Sequence, residues 1–174
     1  MKIAFDEHIP QKLANAFKAL DGEEGMLRVE IVSARDYPIP KGAGDVPWIQ
    51  QFAEDNGKII ISGDAKMRGK LHEQQALSQA GLVVFFLARR WNNANYYDKS
   101  SMLMRWWPQI LKKAATAKTG SFFEIPFDFD TNRPMRDVTP PAKPRSKRPR
   151  RATESVENVP HLSETSVVAK PESN

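Results

Sequence analysis

The sequence predicts an α/β domain, with a mainly parallel sheet layered between helices, followed by a tail without regular structure. Three observations carry that prediction. Strand and helix signals alternate from the first residues to about residue 125, the pattern of successive βαβ units. Two strand signals, Ile59-Ile60-Ile61 and Leu82-Val83-Val84-Phe85-Phe86-Leu87, are apolar without alternation, as strands covered on both faces must be. After residue 130 there is no Phe, Trp or Tyr, and prolines recur at 134, 140, 141, 144 and 149.

Residues 2–5 form a short buried strand. Pro10 suits the first turn of a helix, and Leu13, Ala14, Phe17 and Leu20 share one helical face until Asp21-Gly22 stops it. Residues 28–34, with Val29, Ile31 and Val32, read as a second strand, and Pro38, Pro40, Gly42 and Gly44 mark a loop. Asp45 leads a helix carrying Trp48, Ile49, Phe52 and Ala53, closed by Asn56-Gly57. Residues 58–62 are the central strand. Residues 65–80 follow as a helix with Leu71, Ala76, Leu77 and Ala80, and Gly81 ends it. Residues 82–87 are the fourth strand and 92–95 a polar turn. A long helix covers residues 96–117, with a kink expected at Pro108, and residues 121–125 close the sheet as an edge strand.

These signals divide the chain into a domain at 1–130 and a disordered, basic, proline-rich tail at 131–174. Nine of the 26 Lys and Arg and five of the 21 Asp and Glu fall in the tail, leaving 17 against 16 in the domain. The net charge of +5 therefore splits into +4 and +1, so bulk charge does not make the domain a polyanion binder. The basic run at 143–151 offers contacts to nucleic-acid phosphates without sequence preference. With no cysteine, disulfides, thiolate metal sites and thiol nucleophiles are excluded. No apolar run approaches the roughly 20 residues that span a bilayer. The chain opens directly on a strand without an apolar leader, and the expectation is a cytoplasmic protein.

Function is concentrated in the acids at the strand ends. Lys2-Ile3-Ala4-Phe5 runs into Asp6-Glu7, Ile59-Ile60-Ile61-Ser62 runs into Gly63-Asp64, and Asp45 stands before a helix. The carboxyl ends of neighbouring parallel strands meet at one edge, where open α/β sheets bind ligands. Acids gathered there can hold a hard cation such as Mg²⁺ or Mn²⁺. Each acid also has a simpler use, since Asp before a helix caps its free N–H groups; two acid-tipped strands and an acid-led helix exceed what capping requires. Glu7 faces away from Asp6 in an extended chain and needs a turn to join it. Lys66 and Arg68 follow Asp64, and Arg89-Arg90-Trp91 follows the fourth strand; these suit phosphates and stacked bases, against the alternative of a solvated face and a core tryptophan. His8, alone beside a turn, reads as a surface residue. Trp106-Trp107 with Met102, Leu103, Ile110 and Leu111 reads as core or as a homodimer face.

Phe5-Asp6-Glu7-His8-Ile9-Pro10, Gly44-Asp45 and Ile59-Ile60-Ile61-Ser62-Gly63-Asp64, in that order, resemble the PIN-like nuclease superfamily and are similar to PIN-domain toxins of the VapC type. The resemblance spans roughly residues 1–125. It implies a three-layer α/β/α fold and a Mg²⁺- or Mn²⁺-dependent endoribonuclease held inactive by a cognate antitoxin. It makes Asp6, Asp45 and Asp64 metal ligands, with Glu7 a catalytic helper. Lys66 and Met67 stand where many relatives carry a second acid and an aromatic, which implies one firmly held ion, or a carboxylate supplied from elsewhere such as Asp98. Two rivals remain. One is a non-catalytic RNA-binding or scaffold protein on the same fold. The other is a receiver-like phosphoacceptor, which needs a hydroxyl and a lysine at later strand ends.

Overall fold

The structure, a computed structural model, describes residues 1–19, 28–38, 43–64 and 66–140. The expected helix stop at Asp21-Gly22, Pro40 and Gly42 of the loop, and the basic run at 143–151 lie outside the described residues. The elements follow the expected alternation: β1 (Lys2–Phe5), α1 (Gln11–Ala19), β2 (Glu30–Ser33), α2 (Val46–Glu54), β3 (Ile59–Ser62), α3 (Leu71–Gln79), β4 (Val83–Leu87), α4 (Tyr96–Thr116), β5 (Phe122–Ile125) and β6 (Arg136–Asp137). They build one sheet in the order β2-β1-β3-β4-β5-β6. The first five strands are parallel and β6 is antiparallel to β5.

Side chains alternate across the sheet, and each face receives its own helices. Ile3, Phe5, Ile59, Ile61, Val83, Phe85, Phe123 and Ile125 pack against α1 and α4. Ala4, Ile60, Val84, Phe86 and Phe122 pack against α2 and α3. That is the three-layer arrangement expected, with continuous apolar runs where both faces are covered. Phe5, Phe17 and Trp107 join β1 to α1 and α4, with ring centroids 4.4 to 6.1 Å apart. Leu103, Trp106, Trp107, Ile110 and Leu111 are all buried in this layer, so the stripe is core. The helix runs unbroken across Pro108, which sits on its exposed side, where water can serve the carbonyl left without an N–H.

Three expectations change. The helix expected at 65–80 is divided: Met67–Gly69 forms a single 3₁₀ turn, Lys70 is extended, and α3 begins at Leu71. Burial of Met67 and capture of the Arg68 carbonyl by the Gln74 side chain hold that break. The edge strand and the tail boundary are also revised. β5 is flanked on both sides, because residues 136–137, assigned to the tail, form β6. Val138 N donates to the Phe122 carbonyl at 2.8 Å, and Phe122 N donates to Thr139 Oγ1 at 2.9 Å. Arg136 sits opposite Glu124 in register and bonds its Oε1 at 2.6 Å, a cross-strand opposite-charge pair. The prolines at 134 and 140 bracket this strand without interrupting it.

Candidate active site

β1 and β3 are adjacent, yet the chain leaves them toward opposite sides of the sheet. Their carboxyl ends therefore flank the crevice that an open α/β sheet uses for ligands. An open pocket of about 680 Å³ lies there. Glu7, Asp45 and Asp64 supply its carboxylates, and Lys66, Lys70 and Arg89 its cations; His8, Gly63 and Asn92 complete it. Glu7 reaches it through the turn that follows β1, in which Ile9 N donates to the Asp6 carbonyl at 3.2 Å. Gly63 lets the end of β3 lie against that turn: a Cβ there would stand 3.1 Å from the Cβ of His8.

Asp6 lies beneath the pocket. Its residue is 1% exposed, and both carboxylate oxygens are engaged. Oδ1 accepts from His8 N at 3.0 Å, while Oδ2 accepts from Asp64 N at 3.2 Å and from the Ser62 hydroxyl in a short bond. The His8 ring is 3.8 Å away. Burial pushes the Asp6 carboxyl pKa up, and the hydrogen bonds from Ser62, Gly63 and Asp64 and the nearby His8 oppose that. Asp6 thus ties β1 to β3 and fixes the backbone of both His8 and Asp64.

Asp45 stands before α2 but its side chain does not cap it; Oδ1 instead accepts from Trp48 Nε1 at 3.1 Å. Asp64 Oδ1 accepts from Lys66 N at 2.7 Å, which turns the chain after β3. Lys70 Nζ bonds Glu73 Oε1 at 2.7 Å and stands 4.0 Å from Asp45 Oδ2. The Lys70 pKa is raised, first by that bond to Glu73, then by the charges of Glu73, Asp45 and Asp64, with partial desolvation working against them.

Among the residues expected at the site, Glu7, Asp45, Asp64, Lys66 and Arg89 share the pocket and Asp6 supports it. Arg68 turns away to Glu124, at 2.5 Å, and Arg90 pairs with Asp128. Trp91 is fully buried, donating from Nε1 to the Ile125 carbonyl at 3.0 Å, so it is core and not a stacking platform. Asp98 belongs to the first turn of α4, bonded to Asn95, as a helix acid should be. His8, Lys70 and Asn92 line the pocket without having been singled out as site residues. For His8 the signal was its place in the Asp6-Glu7-His8 turn, whereas Lys70 and Asn92 had none, since their positions depend on the 3₁₀ segments that deliver them.

An open parallel sheet with a pocket of acids and bases at the ends of β1 and β3 defines a doubly wound α/β protein with a polar, phosphate-compatible site. A family described as PIN-like domain matches residues 1–89, and the chain belongs to that family, whose members are generally nucleases. No curated protein and no solved structure matches. PIN-like nucleases typically use divalent metal ions. As arranged, the side chains do not present such a ligand set: among the described residues no three His, Cys, Asp or Glu form a group able to hold an ion. The Asp6 oxygens are occupied by donors, and Asp45 is engaged by Trp48 and faced by Lys70.

Proposed function

We propose that the chain is an endoribonuclease hydrolysing RNA phosphodiester bonds, and that it is the toxin of a toxin–antitoxin pair acting in the cytoplasm. The observation that carries the nuclease reading is the meeting of Glu7, Asp45 and Asp64 with Lys66, Lys70 and Arg89 in one pocket at the switch point of the sheet. The three cations face the charge of a phosphodiester and the charge that grows on it during attack. Asp64, Asp45 and Glu7 orient the attacking water and take its proton. Asp6 is a positioning residue that acts through Asp64 and His8.

The requirement for Mg²⁺ or Mn²⁺ rests on the family alone, and the toxin role on the resemblance of residues 3–10 and 44–67. Cleavage of total RNA with and without Mn²⁺, for the wild type and for Asp64→Asn, tests the first. Asp64→Asn is expected to slow Mn²⁺-dependent cleavage by about 10²–10⁴-fold, the range for removal of a positioned acid–base group. Equal cleavage by both proteins removes the pocket from the reaction. Growth arrest on expression, relieved by a co-expressed neighbouring gene product, tests the toxin role.

A second reading, a non-catalytic RNA-binding protein, is favoured by a specific observation: lysines 66 and 70 stand among the acids, and no three-acid ligand group forms among the described residues. Metal-independent RNA binding without cleavage is its signature. The receiver-like alternative loses support, because β4 ends in Leu87-Ala88 and β5 in Ile125-Pro126, which supply neither hydroxyl nor lysine.

A further inference from the structure

Beside the acidic pocket, the same sheet edge carries a second concavity of about 460 Å³, between the ends of β4 and β5 and the segment that leads into β6. Arg90, Arg133 and Arg136 line it together with Glu124, Phe127 and Asp128. We propose that this groove holds the backbone of the single-stranded nucleic acid whose scissile bond lies in the acidic pocket; the proposal rests on the nuclease reading for that pocket.

Arg89 and Arg90 leave the end of β4 side by side and diverge. Arg89 lines the acidic pocket, and Arg90 lines the groove. A strand lying across this edge therefore passes from one to the other without leaving guanidinium groups. Four arginines serve the groove and its rim. Arg68 and Arg136 share Glu124, at 2.5 and 2.6 Å, and Arg90 pairs with Asp128. Arg133 is exposed and has no acidic partner among the described residues. Two carboxylates, Glu124 and Asp128, against four guanidinium groups leave the groove and its rim at +2. Arginine at such a site offers planar, forked donors that match phosphate oxygens. Phe127 is half-buried within the groove, packed edge-on with Trp91 at 5.1 Å between centroids, and the Arg90 guanidinium lies 5.5 Å from its ring centroid, a contact that helps hold Arg90 over the groove. An acidic protein partner would find the charge but no use for the direct continuation into the acidic pocket.

Two of these arginines, Arg133 and Arg136, come from the stretch that follows the last long strand, beyond the region of the family match. The bonds from Arg136 and Arg68 to Glu124 also hold β6 in place, so a purely structural network is the competing account.

The test is binding of a short labelled single-stranded RNA, and of its DNA counterpart, to the full chain in EDTA across a salt series. Arg133→Gln removes one guanidinium and touches no ion pair; the Arg133→Gln/Arg136→Gln pair removes two. Each arginine taken from a phosphate is expected to flatten the log–log salt slope by about 0.7, so at 0.1 M salt affinity falls about fivefold for the single variant and about 25-fold for the double. Both nucleic acids are expected to respond alike, because the shared feature is the phosphodiester backbone. An unchanged slope and affinity for Arg133→Gln, with the double variant losing only thermal stability, assigns the arginines to the structural network and overturns the proposal. The outcome is separable from cleavage: arginine-dependent binding by a chain that never cuts keeps the groove and removes the nuclease, while cutting with unaltered binding in the variants does the reverse.

Discussion

At the scale of single residues, the buried carboxyl of Asp6 and the ammonium of Lys70 set the behaviour of the site. Burial raises the Asp6 pKa above its ordinary value of 3.8, so the folded chain holds that proton more tightly than the unfolded one. A raised acid pKa makes stability fall as pH rises from 3.8 through the folded-state value, then level off. Asp6→Asn removes the titration. In urea denaturation across the acid range, the stability of Asp6→Asn relative to wild type is expected to climb through that window and become constant above it. A flat difference means that the hydrogen bonds from Ser62, Gly63 and Asp64 and the nearby His8 offset burial in full. Lys70 poses the opposite question, since its ammonium faces Asp45 at 4.0 Å and competes with any added cation. Lys70→Met is expected to tighten Mn²⁺ binding, measured by calorimetry, about fivefold, the ~1 kcal/mol of one charge pair at this distance in a water-like medium; the side chain is 43% exposed, which argues against a larger figure. Unchanged or weaker Mn²⁺ binding places the ion away from Asp45.

At the scale of elements, the turn from α2 into β3 shows how a local signal and a tertiary demand meet in one dipeptide. Asn56-Gly57 reads as a helix stop, and the residue with the left-handed backbone is Asn56, at φ 63°. Gly57 is needed for a different reason: a Cβ there would stand 2.4 Å from the Phe52 carbonyl oxygen and 2.5 Å from its ring. Gly57→Ala is expected to destabilise the fold by about 1–3 kcal/mol through overpacking, while Asn56→Gly stays within about 1 kcal/mol. Thermal melts of the two variants separate the causes, and equal losses would make the turn alone responsible. The same contrast explains what was legible beforehand. β3 and β4 announce themselves because burial on both faces leaves an unbroken apolar run, and Asp6, Asp45 and Asp64 because each ends or begins an element. β6 is two residues, Arg136 and Asp137, both exposed, too short for any period to show. The turn away of Arg68 was hidden as well, since its partner Glu124 lies 56 residues along the chain.

At the scale of the whole molecule, the sheet order places its two useful concavities on one edge: the acids where β1 meets β3, the arginines where β4 and β5 meet the strap of β6. The strap is also structural. Phe129 stacks edge-on against Trp106 with centroids 5.0 Å apart, and Met135 and Val138 pack on opposite core layers. Its backbone takes up the open side of β5, whose unpaired N–H and C=O groups would otherwise invite association with other chains. Two truncations therefore have opposite outcomes. A chain ending at Ala142 keeps the whole strap and is expected to melt cooperatively at the temperature of the full chain. A chain ending at Phe127 gives up the packing of the half-buried Phe129 on Trp106, an aromatic pair worth about 0.5–1.5 kcal/mol beyond its area burial, and exposes β5. It is expected to melt well below the longer chain and to self-associate in light scattering. Should the shorter chain remain monomeric and equally stable, residues 128–140 contribute nothing to the fold, and the boundary expected at residue 130 describes the domain after all.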